Sequence, residues 1–463
     1  MDAPFVVVGG DAAGMSAASK AKRDAPDIEV IVFERGEWVS YAACGLPYYV
    51  KGAVESLEDL VTVTPEAFRE ERGIDLRTNH EVVGIDPESS TVTVESSEER
   101  FEQPYGTLLI ATGAHAVEPP IDGMDLEGVF TLHSLPAARA VREYLGFDAS
   151  GPIDTGPVID RAAVVGGGYI GIEMAEAFAA HGLEVHLFEM LPHVLEPFGE
   201  RVAERVEEHL REQGVRVHLD TRVEAFVGDG RLEAIRTPDG EVPVDVAMVG
   251  VGVAPNVDLA AEAGIELGGT GAIATDEYGR TNYGDVFAAG DCAEARHVVT
   301  GESDHVPLAL TANRAGRAIG QTVAGDPTPT GEIAGTAVLK AFDLEVARTG
   351  VTDEVRARDA GFDPVSVFIE AESRAHYYPG GSTIGIGMVA DRDTGRLLGA
   401  SAVGREGVAK RIDTVATALC AGMSLAEVET LDLSYAPPFS PVWDPVLTAA
   451  KVLRGKLDRP RAT

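Results

Sequence analysis

The chain contains little cysteine, little lysine and no long apolar run. Its 463 residues include three cysteines, Cys44, Cys292 and Cys420, which are too few and too scattered for a disulfide framework or a zinc site and are typical of a reducing compartment. No apolar run reaches the roughly 20 residues that cross a bilayer. The first residues, "MDAPFVVVGG", enter a strand without a basic region or a cleavage site. We therefore predict a cytoplasmic protein without a membrane span or a metal site.

Positive charge is scarce as well. The chain has 75 acidic and 38 basic residues, a formal net charge of -37, and its acids occur along the whole length. Such a surface repels nucleic acid and anionic membranes, so neither is expected as a partner. The pattern resembles that of halophilic proteins from salt-loaded cytoplasms, the alternative being an ordinary acidic protein. Lysine occurs only at Lys20, Lys22, Lys51, Lys340, Lys410, Lys451 and Lys456.

The stretch "APFVVVGGDAAGMSAASKAKR" predicts a buried strand, a glycine turn and a helix, the start of a dinucleotide-binding fold. Asp11 replaces the middle glycine of G-x-G-x-x-G and puts a carboxylate where a phosphate is expected. The next strand ends in Glu34, about 25 residues after the turn, where an acid can bind both hydroxyls of a ribose. The candidate nucleotide-binding residues of the turn are Gly9, Gly10, Ala13 and Gly14.

A second stretch, "RAAVVGGGYIGIEMAEAFAAHGLEVHLFEM", carries the complete G-x-G-x-x-G at Gly166, Gly168 and Gly171. Its second strand ends in Glu189, with no arginine or lysine in the following "EMLPHVLEPFGE". An acid in this place favours the free 2′-hydroxyl of NADH and repels the 2′-phosphate of NADPH. The sequence therefore predicts a preference for NADH.

Two further strands, in "YGTLLIATGA" and "TNYGDVFAAGDCAE", each end in a glycine-containing turn. The order of the four turns resembles that of the FAD-dependent pyridine nucleotide-disulfide oxidoreductases, through almost the whole chain. At about 150 residues per domain, the length suggests about three domains. The resemblance implies an α/β fold with two Rossmann-like domains, an FAD domain (1–118 and 246–325) split around an NAD(P)H domain (119–245), and an α+β carboxy-terminal dimerisation domain (330–463). The Gly/Pro/Asp-rich residues 146–161 are predicted to form an exposed loop.

The resemblance also implies the cofactors, which are FAD in the first fold and NADH in the second, with NADPH less favoured. In the family, the Asp of the "GD" turn holds the flavin ribitol, and a helix in "VPLALTANRAGRAIG" points its amino terminus at the flavin pyrimidine. Tyr169 is implied as a movable lid over the flavin. On this basis, the further residues expected at the cofactor are Ser40, Thr112, Gly113, Gly290, Asp291, Leu308 and Ala309.

The stretch "WVSYAACGLPYYV" contains Cys44 and no second cysteine, whereas relatives similar to glutathione reductase use a cysteine pair. A single thiolate near a flavin can alternate with a mixed disulfide or with a sulfenic acid. "SYAACGLPYY", in which Ser40 precedes Cys44, resembles the coenzyme A-disulfide reductases. The related NADH oxidases and peroxidases place a histidine where this chain has Ala12, which disfavours the sulfenic acid. The alternative is a buried, inert cysteine.

Two carboxy-terminal segments, "LDLSYAPPFSPVWDPV" and "SRAHYYPGG", resemble those that carry active-site tyrosines in coenzyme A-disulfide reductases. The resemblance assigns Tyr435 and either Tyr377 or Tyr378, which reach the sulfur from the partner subunit of a homodimer. The alternative is that these tyrosines only pack at the dimer interface. The family segment that "SKAKR" resembles contacts coenzyme A, so the candidate substrate-binding residues are Lys20, Lys22 and Arg23. The alternative is that these three residues only form a solvated helix face.

The resemblance and the residues together predict an FAD-dependent NADH:disulfide oxidoreductase that reduces a small disulfide, such as coenzyme A disulfide, through a mixed disulfide at Cys44. The alternatives are an NADH oxidase that forms water or peroxide and a persulfide or polysulfide reductase. Outside catalysis, the alternative is a flavoprotein that passes electrons to a protein partner or responds to NADH by binding one.

The acidic surface generates the first prediction. Salt screens the mutual repulsion of surface carboxylates, so the protein should unfold at a higher temperature in molar salt than in dilute buffer. Thermal unfolding followed by circular dichroism across a salt series measures this. Equal unfolding temperatures at low and high salt would contradict salt adaptation.

Overall fold

A computed structural model gives the structure of residues 3–148, 151–152 and 159–457. Within these residues, no helix is long and apolar enough to cross a membrane. The α-helices are α1 (Ala12–Asp24), α2 (Leu46–Lys51), α3 (Pro65–Glu70), α4 (Leu135–Tyr144), α5 (Tyr169–Ala180), α6 (Glu200–Glu212), α7 (Asp258–Glu262), α8 (Ala309–Val323), α9 (Glu354–Asp359), α10 (Val408–Cys420), α11 (Leu425–Glu429) and α12 (Pro445–Leu457).

Most strands belong to three five-stranded sheets, and the others form short hairpins and ribbons. In chain order, the strands are β1 (Phe5–Val8), β2 (Val30–Glu34), β3 (Asp75–Thr78), β4 (Glu81–Asp86), β5 (Thr91–Glu95), β6 (Arg100–Pro104), β7 (Thr107–Ile110), β8 (Ala114–Ala116), β9 (Val129–Thr131), β10 (Phe147–Asp148), β11 (Gly151–Pro152), β12 (Arg161–Val165), β13 (Glu184–Phe188), β14 (Arg216–His218), β15 (Ala225–Gly228), β16 (Leu232–Thr237), β17 (Gly240–Pro243), β18 (Val246–Val249), β19 (Val253–Pro255), β20 (Val286–Ala288), β21 (Ala295–Arg296), β22 (Ser303–Asp304), β23 (Ala337–Ala341), β24 (Leu344–Gly350), β25 (Pro364–Glu372), β26 (Thr383–Asp391) and β27 (Leu397–Gly404).

The first sheet is parallel and has the order β20-β7-β1-β2-β3. All four residues of β1 are buried, as expected for a strand covered on both faces. Strand β20 follows the second domain in the sequence, yet it pairs with β7, which precedes that domain. The first domain is therefore assembled from two separate parts of the chain, as the resemblance implies.

The second sheet is also parallel and has the order β14-β13-β12-β18-β9. It includes β18, whose register pairs Ala162 with Val246 and Val165 with Val249. The sequence boundary placed between residues 245 and 246 is therefore wrong, because it would remove β18 from the sheet in which it is hydrogen-bonded.

The chain crosses between the two nucleotide-binding units at an antiparallel ribbon of β8 and β19. Its register pairs Ala116 with Val253 and Ala114 with Pro255. The return to the first domain therefore follows β18 and lies within β19. A single sequence gives no signal for this position, because β18 and β19 are separated by only a short glycine-containing turn.

The third sheet is antiparallel, with the order β23-β24-β27-β26-β25, and α10 and α12 pack on it. Val415 of α10 and Ala450 of α12 share one buried cluster with Ile386 and Ala400 of the sheet. This mixed unit has the α+β composition predicted for the carboxy-terminal domain, of which residues 458–463 lie outside the described part of the chain.

The predicted loop at residues 146–161 is described only in part. Strands β10 and β11 form a short antiparallel hairpin, in which Phe147 pairs with Pro152. Residues 149–150 and 153–158 of this prediction lie outside the described residues, as do residues 1–2 of the predicted first domain.

Candidate active site

The first glycine turn lies between β1 and α1 and has no room for larger residues. Gly9 has a φ of 109°, and a Cβ on it would lie 2.1 Å from the carbonyl oxygen of Ala111. A Cβ on Gly14 would lie 2.0 Å from the oxygen of Gly9. Helix α1 begins with no side-chain cap on its first N–H groups. Free amide groups and a backbone without side chains fit the pyrophosphate of a dinucleotide.

Asp11 connects this turn to the segment that leads to Cys44. Its Oδ1 accepts a hydrogen bond from the backbone N–H of Tyr41 at 3.2 Å. Burial, with the nearby acids Glu34 and Asp291, raises the pKa of Asp11 to about 7. The irregular residue of the fingerprint thus ties the glycine turn to the segment that leads to Cys44.

Ser40 reinforces that tie. Its backbone N–H donates to the oxygen of Gly10 at 2.9 Å, and its own carbonyl accepts from Thr62 at 2.8 Å. Ser40 has a φ of 49°, in the left-handed region that non-glycine residues seldom adopt. These hydrogen bonds hold the segment that carries Cys44 beside the glycine turn.

The two strand-end glutamates occupy equivalent positions. Glu34 accepts the N–H of Gly10 at 2.8 Å and that of Gly36 at 2.7 Å. Glu189 repeats this arrangement in the second fold, where it accepts the N–H of Gly167 at 2.7 Å and that of Leu191 at 2.9 Å. Each carboxylate is held beside its glycine turn and keeps further acceptor capacity for ribose hydroxyls.

The second glycine turn repeats the first. Gly166 has a φ of 103°, and a Cβ on Gly171 would lie 1.9 Å from the oxygen of Gly166. A side chain on Gly168 would meet nothing within 4 Å, and α5 begins there without a side-chain cap. Open space before a free helix amino terminus fits the pyrophosphate of NADH.

Two more predicted flavin contacts lie at the same edge of the first sheet. Thr112 follows β7, and Asp291 follows β20; because the strands are parallel, their carboxyl ends meet at one edge. Burial raises the pKa of Asp291, while His133 and His305 act in the opposite direction. Gly113 and Gly290 both have positive φ, of 67° and 88°.

Helix α8 packs against α1 with backbones in contact. A Cβ on Gly316 would lie 2.1 Å from the oxygen of Ala13, and one on Gly320 would lie 2.3 Å from the oxygen of Ala17. The helix begins at Ala309, after Leu308, without a side-chain cap. This packing fits the role implied for the start of α8, a positive helix end beside the flavin.

Cys44 lies in a short 3₁₀ turn, Ala43–Gly45, immediately before α2. It is a free, exposed cysteine. Although the residue as a whole is exposed, partial burial of the thiol raises its pKa, as do the acids Glu173, Asp291 and Asp11. The thiol therefore lies beside the edge of the first sheet, in acidic surroundings.

Sequence reasoning missed Glu173 and Tyr48. The hydroxyl of Tyr48 donates to Oε1 of Glu173 at 3.1 Å, joining α2 to α5. Burial raises the pKa of Glu173 to about 7. Glu173 is an acid within the mostly apolar helix sequence "YIGIEMAEAFAA", which is a signal of a special role. Its partner Tyr48 lies 125 residues away in the sequence and could not be predicted from it.

Tyr169, the predicted lid, contacts the third domain. Its hydroxyl accepts a hydrogen bond from Nε of Arg348 at 3.1 Å, and its ring meets Phe198 edge-on at 5.5 Å. A lid movement by Tyr169 remains a prediction, and it would break the contact with Arg348.

The structure brings two of the three predicted tyrosines together. The hydroxyls of Tyr377 and Tyr435 lie 3.1 Å apart, and the side chains are 64% and 45% exposed. This hydrogen bond raises the pKa of Tyr435. Tyr378 instead lies under the guanidinium of Arg374. Tyr377 is therefore the better partner for Tyr435.

The predicted cations of α1 are mostly engaged within the chain. Lys20 pairs with Asp24 at 2.5 Å, and Lys22 donates to the oxygen of Ile28 at 2.9 Å. Arg23 is exposed on the last turn of the helix. The phosphate-binding role of the two lysines would require these contacts to exchange, and it stays a prediction.

Comparison with known protein families gives matches to two successive parts of the chain. Residues 3–316 match the pyridine nucleotide-disulphide oxidoreductase family, and residues 336–445 match the dimerisation domain of that family. The fold is similar to the solved structure of an NAD-dependent persulfide reductase from A. fulgidus, with a TM-score of 0.93 and 40% identity, covering 98% of this chain and 83% of that one.

Relatives similar in sequence carry different names, of which three examples follow. The NAD(P)H coenzyme A polysulfide/persulfide reductase of Pyrococcus horikoshii is 42% identical over 455 residues, 98% of this chain and 99% of that protein. An NADH oxidase of Methanocaldococcus jannaschii is 35% identical, with coverage of 98% and 99%. A coenzyme A disulfide reductase of Staphylococcus haemolyticus is 28% identical, with coverage of 94% and 96%.

The carboxylate of Asp11 generates a prediction about pH. A carboxyl whose pKa is raised by folding makes the folded state less stable as pH rises from about 4 to about 7. Asp11→Asn keeps the acceptor for Tyr41 and removes the charge, so it should raise the unfolding temperature by a few degrees at pH 8 and by less at pH 5. Asp86→Asn is the control, because backbone hydrogen bonds lower the pKa of Asp86. A gain for Asp11→Asn that is the same at both pH values would contradict the interpretation.

The position of Glu189 generates a prediction about the nucleotide. Its carboxylate is fixed by two amide N–H groups, so a 2′-phosphate at the end of β13 would face a negative charge. Steady-state kinetics should give a kcat/KM for NADH about tenfold or more above that for NADPH. Glu189→Gln should narrow the difference. Equal values for the wild-type enzyme would rule this prediction out.

Proposed function

The chain belongs to the pyridine nucleotide-disulphide oxidoreductase family, and from that premise we propose that it reduces the sulfur–sulfur bond of a small substrate through a mixed disulfide at Cys44. Membership makes the protein an FAD-dependent enzyme that uses NAD(P)H. We propose coenzyme A disulfide, or a related low-molecular-weight disulfide, as the substrate.

The observation that carries this proposal is the place of Cys44. The residue is free and exposed, it follows a segment hydrogen-bonded to the first glycine turn, and Asp11 and Asp291 contribute to the raised pKa of its thiol. Cys292 is buried in the core, and Cys420 ends α10 in the third domain. Cys44 is therefore the one cysteine suited to exchange electrons with a group bound at that edge.

Bound FAD supplies the chemistry that accepts a hydride from NADH and passes an electron pair to sulfur. The Cys44 sulfur alternates between a thiolate and a mixed disulfide. As a thiolate, it attacks the substrate disulfide, forms a new S–S bond and releases one thiolate, which takes a proton. The electron pair then cleaves the mixed disulfide, releasing the second thiol and restoring the Cys44 thiolate.

We propose that Tyr435 and Tyr377 act on the Cys44 of the other subunit in a homodimer. Their hydroxyls form an exposed pair, in which one phenol can orient the other toward a departing sulfur. Large apolar side chains lie exposed nearby in sequence, as expected of a surface that a partner covers. They are Phe439, Val442 and Trp443.

A second candidate function is the reduction of a persulfide or polysulfide. It is favoured by the names of the relative from Pyrococcus horikoshii and of the solved structure from A. fulgidus. The same Cys44 chemistry would then release sulfide in place of a second thiol. Oxygen reduction is less favoured, because Ala12 leaves a sulfenic acid without the histidine that oxidases of this family place in the first glycine turn.

Cys44→Ser should separate the two half-reactions. The flavin should bleach with NADH at the wild-type rate in anaerobic stopped flow, since hydride transfer from NADH does not require the Cys44 sulfur. Reoxidation by coenzyme A disulfide should then fall by at least about a hundredfold, because serine has too high a pKa to replace the thiolate. The reoxidation rate of Tyr435→Phe should lie between those of the wild type and Cys44→Ser, with a loss of about tenfold to a hundredfold relative to the wild type.

Cys420→Ser is the matched control, because it removes an exposed sulfur far from the glycine turns and should behave as the wild type. Coenzyme A persulfide, with sulfide release as the readout, separates the two candidate substrates. Wild-type turnover by Cys44→Ser with disulfide and persulfide alike would overturn the proposed function.

A further inference from the structure

A cavity of about 160 Å³ lies between the second domain and the third sheet. One wall is the start of α6 with the two residues before it, Phe198 and Gly199. The opposite wall comes from β25, β26 and β27 of the third domain. Neither glycine turn contributes a lining residue, and nor does the segment of Cys44. The cavity is therefore separate from the candidate active site.

The start of α6 brings free backbone donors to this cavity. The helix is 13 residues long and begins after Gly199 without a side-chain cap. Within the part of the chain that the structure describes, the N–H groups of Glu200 and Arg201 have no hydrogen-bond acceptor. Both residues line the cavity. Free N–H groups in the first turn of a helix attract a negatively charged oxygen.

A further donor comes from the facing sheet. Ser401 of β27 lines the same cavity and is only 5% exposed. Among the described residues, its hydroxyl has no hydrogen-bond partner. A Cβ on Gly387, the residue opposite it in β26, would lie 3.1 Å from the Ser401 Oγ, so glycine keeps the space beside this hydroxyl open. A buried hydroxyl without a partner has lost the hydrogen bonds that it makes in water, and a ligand oxygen would restore them.

The charged side chains at the cavity lie towards solvent. The side chain of Glu200 is 70% exposed, and its carboxylate lies 3.8 Å from Nε2 of His193, which is not a lining residue. The guanidinium of Arg201 lies 5.2 Å from the ring centre of Phe368, and its Nε pairs with Glu204 at 3.3 Å. The positive groups that face the interior are therefore those of the helix backbone.

Much of the remaining lining is apolar and consists of Phe198, Val202, Val367, Met388, Val389 and Ala400. Such a surface offers no partners for the several oxygens of a phosphate, whereas the two oxygens of a carboxylate match the few donors. A water molecule takes about 30 Å³ in the liquid, so the cavity has room for about five non-hydrogen atoms. This is the size of propionate.

We propose that this cavity binds a small monocarboxylate. Its oxygens accept hydrogen bonds from the N–H groups at the start of α6 and from the hydroxyl of Ser401, and its short apolar body lies against Val367 and Met388. The site goes beyond the proposed function, because it lies outside the redox segment and its occupancy does not depend on Cys44.

The test measures binding to FAD-loaded protein saturated with NAD⁺, so that both nucleotide turns are occupied. Isothermal titration calorimetry with sodium propionate at constant ionic strength should show one site per chain. Propionamide, a neutral molecule of the same shape, should bind at least about tenfold more weakly, and Ser401→Ala should weaken propionate binding by about tenfold. No propionate binding, equal binding of propionamide, or tighter binding of inorganic phosphate overturns the proposal.

Two substitutions of Glu200 test the helix donors. Glu200→Pro removes the N–H, and proline is well tolerated in the first position of a helix. Glu200→Ala is the matched variant, because it removes the same carboxylate and keeps the N–H. Propionate should bind to Glu200→Pro about fivefold more weakly than to Glu200→Ala. Equal affinities would overturn the proposal, and this pair decides the matter if Ser401→Ala does not fold.

Ser366→Ala is the control for Ser401→Ala. Ser366 lines the same cavity, but its hydroxyl already donates to Oε1 of Glu354 at 2.6 Å. Ser366→Ala should therefore bind propionate as the wild type does. A loss equal to that of Ser401→Ala would show that the free hydroxyl is not what holds the carboxylate, and it would overturn the proposal. None of these outcomes depends on whether Cys44→Ser retains turnover.

Discussion

Backbone contact between α1 and α8 is the constraint on which the site depends. Gly316 and Gly320 bring α8 against Ala13 and Ala17 more closely than any side chain would permit. The two helices come from the two sequence segments of a domain that the chain leaves and re-enters, so this contact joins those segments. It also directs two uncapped helix starts toward the edge at which the parallel strands end.

Cys44, the candidate redox cysteine, occupies a boundary between domains. Its segment is fixed to the first glycine turn by Asp11 and Ser40, while the helix that follows it lies on α5 of the second domain. Cys44 therefore experiences charges from both nucleotide-binding units. Helix α5 also begins at the second glycine turn, so the helix that contacts the Cys44 segment starts at the predicted NADH-binding turn.

Reactive thiols commonly lie in positive surroundings that lower their pKa. Cys44 lies instead among acids that raise it. Burial and these acids favour the protonated thiol over the thiolate.

The sequence by itself determined the elements that depend on neighbouring residues. Strand, glycine turn and helix follow one another within a few residues, and the φ of Gly9 or Gly166 requires glycine wherever the chain later folds. The same holds for Glu34 and Glu189, whose distance from their turns is set by one helix and one strand. The two nucleotide-binding units, and Cys44 as the redox candidate, could therefore be predicted.

Only the tertiary structure decided how distant segments meet. It placed β18 in the second sheet, turned Asp11 toward Tyr41, paired Tyr377 with Tyr435 and set Glu173 against Tyr48. None of these contacts follows from local periodicity or spacing, because each joins residues brought together by packing of separate elements. The physical reason is that the cost of burying a charge depends on all the groups that surround it, and those are chosen by the fold and not by the adjacent sequence.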